Sequence, residues 1–470
     1  MVCGLLLAVS AAAQCVSGLV SVSQPFVFPN HAAGPLAWNG SVYGAAKVDP
    51  VSGANPLFFA LYNANLDQVK ADGQVAAGAS SGRRFLIWNG SEFALFYEMP
   101  DLRLVFQRID ANGNPIGAPV AVAPQHGVAP GAEYDAAWDA SRKAYVVLHT
   151  FAAGFDRGLW LTVVGLDGTQ KSDEVVTFFN ASPTYPRVAV TPAGTIGIAW
   201  SRLVNNDQQE LAFAIYVPGA GPLSVSSVRA GGSNPRLATD GRFFFLVYSA
   251  PVTGGTVLRD VKYDTAGRVA TADALLLSIG QDMAAFSAIP NPTLNEWGVL
   301  YVSYPIGFSN PSFGETRLLR VFYSGAPLTD AQLATDGTKR TLPPQSDLTW
   351  NGTGYVAAIG RLFTTGEASE SYYARYCPLL VTATASPALS SPFAPVTFTA
   401  NPSGGTGPYK FSWSFGDISS PEPGQTVTHV YHDPGTYTAT VTATDSTGAA
   451  TTGTVTVTIA KLRRHAAGRP

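Results

Sequence analysis

A unit of about fifty residues recurs seven times before residue 380, and it limits the folds open to this chain more than any other feature. Each copy is anchored by a turn between two apolar stretches. The clearest are Leu36-Ala-Trp38-Asn39-Gly40-Ser-Val-Tyr43, Leu86-Ile-Trp88-Asn89-Gly90-Ser-Glu-Phe93 and Leu348-Thr-Trp350-Asn351-Gly352-Thr-Gly-Tyr355. Weaker copies centre on Trp138, Thr191, Thr239 and Thr293, giving spacings of 50, 50, 53, 48, 54 and 57. Asn-Gly and Asp-Gly between strand-like runs mark tight hairpins, because these residues tolerate positive φ. A third strand, a second turn such as Asp110-Ala-Asn-Gly113 and a fourth apolar stretch such as Pro119-Val-Ala-Val-Ala123 complete the unit. Four short strands repeated seven times predict an all-β chain whose main body is a seven-bladed β-propeller of four-stranded blades. A solenoid is the rival architecture. It needs atypical capping repeats, and none is visible.

Composition agrees with this reading. Only 13% of the residues are charged, against about 25% in an ordinary soluble domain. Aromatics reach 11%, which argues against disorder. The net charge of -3 excludes a strongly basic nucleic-acid binder. No later run of apolar residues is long enough to span a bilayer. Residues 1–13 read as a signal peptide, with Leu5–Val9 as its apolar core and Ala11-Ala12-Ala13 before Gln14. Its positive n-region is missing, so the start is truncated or misassigned, or the segment is a buried first strand. Lipidation at Cys15 would need a small residue where Gln14 stands. Residues 462–470 form a basic, patternless tail.

The repeats resemble the propeller-like repeats of secreted bacterial proteins, a Pro-x-apolar-Ala strand, a turn and an apolar strand, over residues 16–378. Neither a recurrent Trp-Asp pair nor a double glycine is present. The propeller is expected to span 14–378. Beyond Cys377-Pro378 the composition shifts to Thr, Ser, Ala, Val and Pro, and a specific series follows: Trp413-Ser-Phe415-Gly416-Asp417, His429-Val-Tyr431, Pro434-Gly435-Thr-Tyr437 and Val441-Thr-Ala-Thr-Asp445. Residues 379–461 thereby resemble the PKD domain, an Ig-like β-sandwich. Trp413 and Tyr437 are large enough to fill a small sandwich core. Gly416-Asp417 and Pro434-Gly435 suit turns. Thr436–Val441 alternates between an apolar and a threonine face. The resemblance implies an extracellular spacer or a module that contacts protein or polysaccharide.

Candidate chemistry is sparse. The six histidines show no HExxH or cysteine pairing, so no metal is expected; His429 and His432 sit near a turn, where hydrogen bonding accounts for them. Asp110-x-Asn112-Gly113-Asn114 looks like the front of a calcium loop, but Ala121 stands where its closing acid belongs. The Asn-x-Ser/Thr sequons at Asn39, Asn89 and Asn351 coincide with the repeat turn and are explained by it. No nucleophile elbow, P-loop or dinucleotide fingerprint occurs, and no cofactor is expected.

One pattern stands out. Arg84, Asp135, Arg187, Arg236 and Asp347 each precede a turn anchor by a few residues. On innermost strands they would ring the channel mouth, where Arg forks grip carboxylates and both charges bond sugar hydroxyls. Pairing across blades is the alternative. The seventh unit has only three strands of its own, so the segment from Val16 to Phe28 is expected to supply the fourth, with a Cys15–Cys377 disulfide stapling the closure. The favoured expectation is a secreted or cell-surface (periplasmic or extracellular), monomeric binding or adhesion protein that meets polysaccharide or a surface protein. A carbohydrate- or peptide-active enzyme and a purely structural surface protein are the alternatives.

Overall fold

A computed structural model describes residues 18–21, 34–48, 55–79, 84–101, 103–123, 134–153, 156–177, 183–204, 208–306, 315–334, 339–342, 348–363 and 369–460. Every regular element among them is a strand. The chain divides into two compact units, one spanning Gly18–Arg375 and a second containing Tyr376–Pro470.

The first unit is a seven-bladed propeller. Blade one is the antiparallel sheet of Leu36–Trp38, Tyr43–Val48, Leu57–Tyr62 and Gln68–Ala76. Blades two to six repeat that order over 85–121, 134–177, 184–230, 233–277 and 282–334. From blade one to blade six the first strand of each blade lies against the first strand of the next, and Leu36–Trp38 of blade one meets Thr349–Trp350 of blade seven. In blade seven, Lys339–Leu342 and Thr349–Trp350 both pair with Tyr355–Phe363, and Ser369–Tyr376 follows. The outer position is taken by Gly18–Ser21, antiparallel to Tyr372–Arg375, with Gly18 opposite Arg375. The N-terminal segment therefore closes the ring, as expected. Across the closure, Tyr62 and Tyr373 meet edge to face at 5.4 Å, and Arg375 Nη1 donates to Ala64 O at 3.2 Å. Cys377 is disulfide-bonded; Cys15, its expected partner, lies outside the described residues.

The repeat turn works as its residues predict. Asn39 Oδ1 accepts the amides of Ser41 and Val42 and the Ser41 hydroxyl. Asn89 and Asn351 do the same with Ser91-Glu92 and Thr353-Gly354, and Asp139 with Ser141-Arg142. The sequon hydroxyl is thus a turn donor. The tryptophan packs on the aromatic directly opposite it on the second strand, at 4.6 Å for Trp38–Tyr43, 4.7 Å for Trp88–Phe93, 4.9 Å for Trp138–Tyr145 and 4.8 Å for Trp350–Tyr355. The register corrects two anchors. In blade four Thr191 occupies the Asn39 position, so Val190 is the anchor; in blade six Pro290 pairs with Trp297 and Thr293 lies inside the turn.

Between blades the packing is aromatic, with polar clasps inserted. In blade six, Arg320 holds Glu296 in two bonds of 2.8 and 2.7 Å; Glu296 Oε1 also accepts from Tyr355 of blade seven, and Asn291 Nδ2 donates to that hydroxyl. Blades two and three repeat the arrangement. Arg108 forks Glu92 at 2.8 Å, and Asn89 Nδ2 donates to Tyr145 at 2.7 Å.

The second unit is a two-sheet sandwich. Leu380–Ser386, Pro395–Ser403 and Thr426–Val430 form one sheet; Gly435–Thr444 and Ala450–Ile459 lie at the centre of the other. Its core holds Phe398, Trp413, Phe415, Tyr431, Val441 and Val457. Tyr431 rather than Tyr437 fills it; Tyr437 stacks on Tyr431 from the outside at 4.2 Å, half-buried. Gly416 sits at φ +77° with its Cα so close to the neighbouring strand that a Cβ would lie 2.6 Å from Thr438 O.

Candidate functional site

The inner strands surround a cavity of about 190 Å³ lined by Phe85, Ile87, Asp135, Arg187, Arg236, Ser287 and their neighbours. With the corrected anchors, one position recurs three residues before each anchor: Pro35, Phe85, Asp135, Arg187, Arg236, Ser287 and Asp347. Sequence reasoning named Asp135, Arg187 and Arg236, and these line the cavity. It placed Arg84 one residue early, where burial lowers the guanidinium's affinity for its proton, while Phe85 lines the cavity. It missed Ser287, because the blade-six anchor was read three residues late. Asp347 lies outside the described residues.

These side chains reach sideways, to the next blade. Val188 N–H donates to Asp135 Oδ2 at 2.9 Å, and Leu348 N–H donates to Ser287 Oγ at 3.0 Å. Arg187 Nε donates to Pro235 O at 3.0 Å and Nη1 to Pro186 O at 2.5 Å. Arg236 repeats this with Phe286 O and Pro235 O, both at 2.6 Å. Phe85, at the apolar position, meets Tyr134 edge-on at 5.3 Å. The cause is local. The inner strands of blades four, five and six shift register at Thr184/Arg187, Ser233/Arg236 and Ala285/Ser287, with Tyr185 and Asn234 at positive φ before a proline. A bulge leaves backbone groups without ladder partners, and buried backbone groups require partners. The preceding blade supplies them. The arginines bind the carbonyls inside two bulges, Pro235 O and Phe286 O; Asp135 and Ser287 accept the amides of Val188 and Leu348, the first of which stands in register opposite Ile198.

Other candidates resolve similarly. In the Asp110 loop, Asp110 Oδ1 accepts the amides of Asn112 and Asn114, and Lys70 Nζ of blade one sits 2.7 Å from Asn112 O and 2.5 Å from Asn114 Oδ1. An ammonium occupies the place a cation would take. His429 Nε2 lies 2.8 Å from Asp417 Oδ2, with its ring stacked on Phe415 at 3.9 Å. Burial opposes the Asp417 charge, but bonds from Ser419 and His429 hold its carboxyl below the usual range. His432 packs edge-on against Phe393. Among the described residues no group of three or more His, Cys, Asp or Glu is placed to hold a metal.

Sequence reasoning gave no sign of a buried row in blade three. His149 Nε2 lies 3.1 Å from Thr162 Oγ1, whose hydroxyl donates to Asp173 Oδ1 at 2.8 Å. A hydrolytic triad needs the imidazole between acid and nucleophile. Here the hydroxyl is in the middle and gives its proton to the acid, so the row is not arranged for nucleophilic attack.

Residues 381–459 match the PKD domain family. No curated protein matches the sequence. Among solved structures the chain is similar to puromycin hydrolase (14% identity, 78% of this chain, 58% of that one, TM-score 0.49). It is also similar to an arginine-to-alanine mutant of AofleA from Arthrobotrys oligospora (11%, 66% and 88%, 0.42). A third is the extracellular domain of BT3049 from B. thetaiotaomicron (10%, 94% and 57%, 0.40). The chain spans little more than half the length of the puromycin hydrolase chains. Fold and site together define the class: a seven-bladed β-propeller followed by a PKD domain.

Proposed function

We propose that this protein is an extracellular or cell-surface binding protein without catalytic activity, in which the propeller is a rigid scaffold that presents a polysaccharide or protein ligand surface. One observation carries the reading. Among the described residues, the polar groups of the inner ring, Asp135, Arg187, Arg236 and Ser287, are bonded to the backbone of the adjacent blade, and a base or nucleophile so engaged is not available to a substrate. A PKD match over residues 381–459 supports an extracellular setting. The test is a glycan and cell-surface protein array run beside a hydrolase panel. The expected result is binding without turnover. Arg187→Ala with Arg236→Ala should lower the melting temperature by a few degrees, each lost kcal/mol being about 1–2 °C in a unit of this size, while folded protein binds as before. Turnover abolished by Asp135→Asn at unchanged stability would establish an enzyme instead.

A further inference from the structure

Two adjacent blades carry one short motif on their inner strands and fill it differently. Blade four reads Thr184-Tyr185-Pro186-Arg187 and blade five Ser233-Asn234-Pro235-Arg236. In each the register shifts before the arginine, and the residue ahead of the proline has a left-handed backbone, with φ +53° at Tyr185 and +50° at Asn234. Asparagine visits that region at little cost, whereas a bulky side chain there is strained. The fold gives the tyrosine little in return. Tyr185 is half-buried, and among the described residues neither its ring nor its hydroxyl has an aromatic or hydrogen-bonding partner. Aromatics at neighbouring places are employed. Tyr134 of blade three is buried edge-on against Phe85, and the Phe286 ring of blade six lies 5.8 Å from the Arg236 guanidinium. A strained aromatic that its own fold does not use points to a contact made with something else.

The two motifs lie side by side. Arg187 Nε donates to Pro235 O at 3.0 Å, which brings the blade-four bulge against the blade-five one. Tyr185 and Asn234 share the same bulge, the same φ and the same offset from a Pro-Arg pair, so equivalent backbones present their side chains alike. Both stand two residues outward of the ring positions. Thr184 pairs with Ser201 and Ser233 with Ser249, close to where the second strands end at Val204 and Val252. This is the end of the inner strands at which the connections between blades arrive. Thr184, Tyr185, Ser233 and Asn234 are all half-buried and uncharged, and none of the four side chains has a hydrogen bond among the described residues. Two residues further in, Arg187 and Arg236 are bonded to backbone carbonyls. The polar groups on the rim are left to face outward.

We propose that Thr184, Tyr185, Ser233 and Asn234 form a binding site for a neutral sugar unit on the rim of the propeller channel. The proposal rests on the binding-protein reading and names the ligand class of one site within it. Chemistry selects the sugar. The Tyr185 ring offers an apolar face to the C–H side of a pyranose and a hydroxyl at its tip. The Asn234 carboxamide carries donors and an acceptor side by side, and the hydroxyls of Thr184 and Ser233 do both, which is the set that neighbouring sugar hydroxyls require. Charge argues against an ionic ligand. None of the four side chains has any, and the guanidiniums of the same two motifs are 2% and 8% exposed and turned onto carbonyls. The bulges hold the contact residues in place beforehand, which lowers the ordering cost of binding.

The experiment titrates the full chain calorimetrically with soluble gluco-, manno-, galacto- and xylo-oligosaccharides, with the melting temperature recorded for each variant. Tyr185→Asn copies the matching residue of blade five. Its expected signature is at least a tenfold weaker association with the oligosaccharide that the parent binds, at an unchanged or raised melting temperature. Asn234→Gly, which suits the same backbone and removes the carboxamide, should weaken association as well. If Tyr185→Asn binds like the parent, the proposal falls while the binding-protein reading stands. A melting temperature lowered by a few degrees in Tyr185→Asn would show a structural ring and also overturn it. A parent that ignores every oligosaccharide but captures a surface protein on an array, through contacts that Tyr185→Asn abolishes, would make the ligand a protein and overturn the sugar. Should the parent bind nothing in either format, the underlying reading falls.

Discussion

The propeller and the PKD domain put their polar groups on opposite sides of their sheets. Between blades, Glu296, Arg320, Asn291 and Tyr355 share buried bonds, and Asp135, Arg187, Arg236 and Ser287 tie blades three to six each to the next. In the sandwich the core around Trp413 and Phe398 is apolar, and the hydroxyls face out. The difference follows from repetition. Seven similar blades with both faces buried offer many near-equivalent ways to pack, and apolar contact is non-directional. A bond from one side chain to one carbonyl of the next blade distinguishes the right register from its neighbours. Two dissimilar sheets joined by one core have no such ambiguity.

That contrast can be broken at its extremes. Trp413→Ala should cost the sandwich about 3–5 kcal/mol, as large-to-small changes of buried aromatics do. Calorimetry should show the PKD transition falling while the propeller transition holds; a shift in both would mean the two units unfold as one. Glu296→Gln is expected to cost the propeller about 3 kcal/mol, because it removes the carboxylate charge held against the largely buried Arg320 guanidinium. Denaturant unfolding measures this, and a change below about 0.5 kcal/mol would show that apolar packing alone sets the blade interface. A smaller effect sharpens the comparison through pH. Asp260, 2% exposed on the third strand of blade five, has its carboxyl pushed up to about 6 by burial, with Lys262 opposing the rise. An unfolded aspartate titrates near 3.9, so the folded chain holds this proton more tightly. The penalty is absent below about pH 4, grows as pH rises toward 6 and is complete above it, on the order of 2–3 kcal/mol. Asp260→Asn should therefore raise the melting temperature at pH 8 and leave it unchanged at pH 4.

How far the sequence reveals this depends on the range of each interaction. The Asn39, Asn89 and Asn351 turns are legible because the accepting oxygen and its donors lie within three residues. The closing strand is legible too, since blade seven lacks one of its own. The inner ring is only partly so. The longer blade-six turn moves the anchor there by three residues and hides Ser287, and in blade two the charge of Arg84 stands beside the apolar Phe85, which holds the ring position. The Glu296–Arg320–Tyr355 clasp leaves no local trace, because its members stand 24 and 59 positions apart. Tyr185 is invisible for another reason: a sequence shows Tyr-Pro, and only the bulge reveals that the tyrosine holds a backbone conformation suited to asparagine or glycine.

Closure by Gly18–Ser21 also orders events in time. The strand and its partner stand 357 positions apart, so synthesis completes one long before the other exists. Until Tyr372–Arg375 is made, blade seven has no outer neighbour to offer, and the early strand must wait unpaired while six blades form behind it. Joining such distant segments adds only a logarithmic entropy cost to stability, but contacts of this separation form slowly. An unpaired apolar strand during that interval invites pairing with another nascent copy. The ring is thus most exposed to misassembly at the moment it is nearly complete.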